Sequence, residues 1–144
     1  MPRCYLLTVC AGSSLDQHSN NATLFNLVEQ LNVPPGMPAP PSGVIPLEIH
    51  AYFAIGAGEL QLSFDVRFAM VAPSGLETLS DIFTHRSSTP RYRTRTAGLP
   101  LPPVIGHYDL RVDWRMTGTS SWTRDVVFWP ISIVEATPRP VVTH

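Results

Sequence analysis

The chain has 144 residues, 44% of them hydrophobic and 15% charged, with a formal net charge of −1. That length suits one domain with a core of its own, and the charge balance argues against general electrostatic attraction to nucleic acid or an anionic membrane. All ten basic residues are arginine, which excludes a Schiff-base lysine and a phosphate-loop lysine.

Residues 3–10 (RCYLLTVC) form a β-favouring run. Cys4 and Cys10 are the only cysteines; on one strand they would stand roughly 20 Å apart, too far for a disulfide. Both read as small buried hydrophobes in a reducing compartment. The start is too short for a membrane span and poor as a signal peptide, so the expected location is cytoplasmic. A polar bend, DQHSNN at 16–21, follows.

Residues 22–33 (ATLFNLVEQLNV) fit two periods. Leu24, Leu27, Val28 and Leu31 make a helical stripe, whereas Phe25, Leu27, Leu31 and Val33 alternate as in a strand. The stretch from LLTVC through LDQHSNNATLFNLVEQLNVPPGMP resembles the opening of a family of small, uncharacterised bacterial β-sandwich proteins, a domain of unknown function. That resemblance implies a β-sandwich with 22–33 as its second strand, and it implies nothing about chemistry. Residues 34–46 (PPGMPAPPSGVIP) read as a polyproline-like connector.

In 47–54 (LEIHAYFA), Leu47, Ile49, Ala51 and Phe53 alternate with Glu48, His50 and Tyr52. The link Gly56-Ala57-Gly58 signals a hairpin into the next strand. That strand, 59–71 (ELQLSFDVRFAMV), has a dry face of Leu60, Leu62, Phe64, Val66, Phe68 and Met70 and a wet face of Gln61, Ser63, Asp65 and Arg67. A turn at Ala72-Pro73-Ser74-Gly75 leads to a weaker strand over 76–85. Residues 91–96 alternate Arg91, Arg93 and Arg95 with Tyr92, Thr94 and Thr96. In 106–117, Tyr108, Leu110, Val112, Trp114 and Met116 face inward while Asp109, Arg111, Asp113 and Arg115 face outward. Gly106-His107-Tyr108 resembles the tyrosine corner of immunoglobulin-like folds. The last strand, 121–135, carries Pro130 as a mark of a bulge or an edge. Together these features predict an all-β fold: a two-layer antiparallel β-sandwich, immunoglobulin-like or jelly-roll-like, of about seven or eight strands. A closed barrel is the main alternative. One domain spans 1–136, with a tail at 137–144.

No catalytic motif emerges. There is no Gly-x-Ser-x-Gly, and Gly56-Ala57-Gly58 lacks the third glycine and the helix of a dinucleotide site. His107, Asp109 and Asp113 share one strand face at metal-compatible spacing, but Arg111 and Arg115 interleave with them and Asp65 and Arg67 supply cross-strand charges, so a self-neutralising lattice is expected. Tyr52, Trp122, Phe128 and Trp129 raise a sugar-stacking reading that core and rim roles also explain. The most distinctive surface is the row Arg91, Arg93, Arg95 with Tyr92, spaced for carboxylates or phosphates on a partner; edge protection by charge is the competing explanation. The expected function is therefore a non-enzymatic binding or assembly module with a protein partner or a second copy, or a small anionic ligand, and with no cofactor, metal, nucleic acid or membrane. A small β-barrel hydrolase or lyase, or a carbohydrate- or nucleotide-binding domain, is the alternative.

Overall fold

The computed structural model describes residues 1–33 and 47–136. The connector expected at 34–46 and the tail at 137–144 lie outside the described residues. The elements in chain order are β1 (Arg3–Leu15), β2 (Ala22–Leu27), β3 (Gln30–Val33), β4 (Glu48–Ala54), a 3-10 turn (Ala57–Glu59), β5 (Ser63–Val71), β6 (Glu77–Leu79), β7 (Phe83–Arg86), β8 (Arg91–Ala97), β9 (Gly106–Met116) and β10 (Thr123–Glu135). One sheet runs β2-β1-β4-β8, and the other β3-β10-β9-β5-β6, with β7 also paired to β5. The two sheets pack face to face, as the alternating patterns require. Val9, Ile49 and Phe53 from the first sheet meet Phe64, Val66, Phe68, Leu110 and Val112 from the second in one core.

The all-β sandwich is therefore present, with ten strands rather than seven or eight. The surplus comes from strands that break. The expected strand over 22–33 is two: β2 pairs with β1 in the first sheet, and β3 pairs with β10 in the second. Asn26, at φ 53°, takes the left-handed backbone just before the crossing, a conformation asparagine tolerates better than most residues. The β3–β10 pair is parallel, so the sandwich is not wholly antiparallel. The weak strand after the Pro73 turn is likewise divided into β6 and β7. Between them Ser80 bonds the β5 backbone in both directions, its Oγ accepting from the Phe68 N–H at 2.8 Å and its own N–H donating to the Phe68 carbonyl at 2.9 Å.

Two expectations about the centre of the chain are corrected. β4 and β5 do not form a hairpin; β4 pairs with β1 and β8, and β5 with β6, β7 and β9, so the glycine link carries the chain between layers. The central strand begins at Ser63, not Glu59. The 3-10 turn and the left-handed Gln61 (φ 69°) interrupt the alternation, and Leu62 is left exposed. Pro130 marks no bulge: the register shift of β10 lies between Arg124 and Phe128. Pro130 sits where β10 pairs with β9 alone, β3 joining only from Ser132, so its missing N–H costs no ladder bond on the free side. Tyr108 does form a tyrosine corner, its hydroxyl donating to the Val104 carbonyl at 2.5 Å. Cys4 and Cys10 are free and buried.

Candidate functional site on the outer face of the first sheet

On the outer face of the second sheet the charged side chains pair with one another. Asp113 accepts from Arg67 Nε at 3.0 Å and from Arg124 Nε at 2.7 Å, and Arg124 also reaches Glu77. Asp65 accepts from Arg115 Nε at 3.0 Å, Thr84 Oγ1 at 2.8 Å and Thr117 Oγ1 at 3.0 Å. The Trp122 ring makes cation–π contacts with both Arg67 and Arg115, each guanidinium carbon 4.2 Å from the ring centroid. Asp65, Arg67, Asp113 and Arg115 thus form the self-neutralising part of the expected lattice, with both carboxylates buried rather than solvated, whereas Arg111 donates to the Asp125 carbonyl and His107 contacts Ser132. A wet strand face becomes half-dry when long arginines lie over short carboxylates.

The first sheet carries the alternation of β4 and β8 to its own outer face. Glu48, His50 and Tyr52 on β4 stand beside Arg95 and Arg93 on β8, with His50 opposite Arg95 and Tyr52 opposite Arg93 in register. The far half of β1 leaves β4 at Cys10 and continues with β2 as a hairpin arm. Its tip bends back: Asp16 and Asn21 close the turn through a backbone bond of 2.9 Å, with Asn20 left-handed at φ 57°. The arm reaches β8, because Arg93 Nη1 donates to the Asn20 carbonyl at 2.6 Å.

Two hollows lie between the arm and β8. The larger, about 490 Å³, is lined by Tyr5, Leu15, Ser19, Asn20, Asn21, Arg91 and Arg93. The smaller, about 260 Å³, is bordered by Ser13, Leu15, His50, Tyr52, Arg93 and Arg95. Arg91 forms no ion pair among the described residues, while Arg93 sits over the Tyr52 ring at 5.4 Å. Arg95 is different. Its Nε donates to Glu48 Oε2 at 2.5 Å. Glu48 also accepts from Ser13 Oγ at 2.8 Å and contacts His50 Nε2 at 3.0 Å, so Arg95 closes a buried polar cluster. Burial alone would raise the Glu48 carboxyl, but the bonds from His50, Ser13 and Arg95 outweigh it and hold the group at about 2. Burial pushes the Cys10 thiol, 4.0 Å from Glu48 Oε1, above its ordinary value.

Of the residues singled out from sequence, the structure brings Arg91 and Arg93 to one hollow and gives Arg95 a structural partner. Tyr92 stands apart, on the opposite face of β8. Its ring packs against Phe64 at 6.0 Å and His85 at 5.5 Å, and its hydroxyl lies 3.2 Å from His85 Nδ1. Strand alternation dictates that separation, so Tyr92 belongs to the core side and not to the arginine row. The aromatic residues weighed for sugar stacking do not share a platform: Trp122 contacts Arg67 and Arg115, Trp129 donates to the Val28 carbonyl at 2.7 Å, and Tyr52 lies under Arg93.

Elsewhere, His107 and Asp109 line an open depression of about 320 Å³ with Ser132, whose Oγ is 2.6 Å from His107 Nδ1. Sequence reasoning missed Ser132, Tyr5 in the first half of β1, and the arm residues Asn20 and Asn21. Their only signals are a serine in the last strand, a tyrosine in the first and a polar bend. Among the described residues, no helix is long and apolar enough to cross a membrane. No protein-family model, curated protein or solved structure matches the chain.

Proposed function

We propose that the protein is a non-catalytic binding module that takes a small anionic ligand, bearing carboxylate or phosphate groups, between the β1–β2 arm and β8. The observation that carries this reading is the pairing of Arg91 and Arg93 along one wall of the larger hollow, with Arg91 free of any ion pair among the described residues. Guanidinium groups on one strand face, two positions apart, present parallel donors that suit forked anions. Tyr5 and Leu15 supply an apolar floor, and a volume of about 490 Å³ lies in the range of small-molecule sites. Calorimetric titration with inorganic phosphate, citrate and an oligoglutamate peptide, each repeated at low and high salt, tests the reading. Saturable, salt-weakened binding of phosphate or citrate supports it. Binding of the peptide alone points to an acidic protein partner instead, and binding of none overturns it.

A second reading, a small hydrolase, rests on Ser132, His107 and Asp109 around their shared depression. A histidine within hydrogen-bond reach of a serine hydroxyl is the arrangement of an activated nucleophile. It is the weaker reading because the pair is exposed and, among the described residues, no buried side chain is bonded to it. Covalent labelling of Ser132 by a fluorophosphonate, abolished in His107→Ala, would establish it in place of the first.

A further inference from the structure

Beside the anion site, three side chains of different chemistry converge beneath Arg95. Cys10 comes from β1 and Glu48 and His50 from β4; Cys10 and Glu48 are register partners, and His50 lies two residues on, on the same face. Their Sγ, carboxylate oxygen and imidazole nitrogen all lie within 4.8 Å of one another, with Glu48 Oε1 3.0 Å from His50 Nε2 and 4.0 Å from Cys10 Sγ. All three residues are buried. We propose that Cys10, Glu48 and His50 form a binding site for a divalent cation of the zinc class. This goes beyond the anion-binding reading and does not depend on it.

Five features support the site. An ion held at roughly 2.0–2.3 Å by one sulfur, one nitrogen and one oxygen needs those atoms about 3–4 Å apart, which small side-chain rotations supply here. The mixed donor set suits zinc or cobalt, whereas magnesium and calcium require oxygen ligands throughout. The carboxylate is already divided: Oε1 faces Cys10 and His50 and accepts from Ser13 Oγ, and Oε2 is held by Arg95, as an outer-shell partner holds a ligating carboxylate. Thr8, opposite His50 in register, has a buried hydroxyl that makes no hydrogen bond, so the same face retains an unused polar group. The hollow of about 260 Å³ bordered by His50 is the route of entry, and three protein ligands leave a coordination position for water. The thiol must ionise to ligate, so each ion bound releases the Cys10 proton to solvent.

The test uses the full chain with cobalt and zinc as probes. One cobalt per chain is expected, with the near-ultraviolet absorption of a thiolate–cobalt bond. Cys10→Ser should abolish that absorption, and His50→Gln should weaken cobalt binding more than about a hundredfold, beyond the loss of an outer-shell partner. Cobalt or zinc binding that survives Cys10→Ser unchanged overturns the site. Should the variants not fold, thermal unfolding of the native chain decides: saturating zinc, but not magnesium, should raise its midpoint by several degrees. An unchanged midpoint with saturating zinc overturns the proposal.

Discussion

Arg95 on β8 and Glu48 on β4 are joined diagonally across the first sheet, Arg95 Nε donating to Glu48 Oε2 at 2.5 Å. That one bond divides the arginine row into two parts with different jobs. Arg95 covers a carboxylate buried among Ser13, His50 and Cys10. Arg91 and Arg93 line the hollow next to it.

Arg95→Ser should therefore lower stability, by about 1–2 kcal/mol after discounting for the exposure of the guanidinium, because Glu48 loses a charged donor. Arg91→Ser should leave stability within about 0.5 kcal/mol, as at an ordinary surface position. Urea unfolding of both variants checks the split, and equal losses would contradict it.

The Glu48 cluster also sets an acid limit. The folded carboxyl titrates at about 2 against an ordinary 4.5, and Asp65, where the bonds from Thr84 and Arg115 overcome burial, is likewise lowered. Below an ordinary carboxyl value the unfolded chain binds protons that the folded chain does not. The stability these groups contribute is thus complete above about pH 5 and is lost as the pH falls toward 2. Unfolding free energy measured stepwise through that window should decline, and less steeply in Glu48→Gln. An unchanged slope in that variant would contradict the assignment.

In the core, Phe64 is buried against Phe53 and Tyr92, at centroid separations of 5.6 and 6.0 Å. Phe64→Ala should cost roughly 3–5 kcal/mol. Leu62→Ala, two residues earlier and exposed, should cost well under about 1 kcal/mol. Similar losses at the two positions would place Leu62 in the core and extend β5 to Glu59.

Trp122 is a third kind of test. In contact with both Arg67 and Arg115, it should contribute about 1–2 kcal/mol through paired cation–π contacts. Trp122→Leu keeps the apolar bulk, and thermal unfolding of that variant should show a loss of this size. No loss would mean that the arginines are held by Asp65 and Asp113 alone.

The strands were legible wherever alternation is uninterrupted. Tyr108, Leu110, Val112 and Trp114 announce the buried face of β9, and Tyr108 its corner bond to Val104. The same rule separates Tyr92 from its neighbouring arginines, although like composition groups them. What alternation does not encode is the partner of each strand. A glycine link cannot say whether β4 turns back on β5 or crosses to the other layer. A left-handed Asn26 divides β2 from β3 without changing the hydrophobic pattern. The Cys10–Glu48–His50 cluster depends on register between β1 and β4, and the hollow beside Arg91 and Arg93 on the fold-back of the arm, both long-range facts invisible to local spacing.

The most direct measurement is a two-dimensional amide NMR titration of the full chain with citrate and with inorganic phosphate. Binding between the arm and β8 should shift the amides of Tyr5, Ser19, Asn20, Asn21, Arg91 and Arg93, and the double variant Arg91→Ser/Arg93→Ser should stay folded and show no saturable shifts. Saturable shifts centred on His107, Asp109 and Ser132, or shifts unchanged in the folded double variant, would contradict the account.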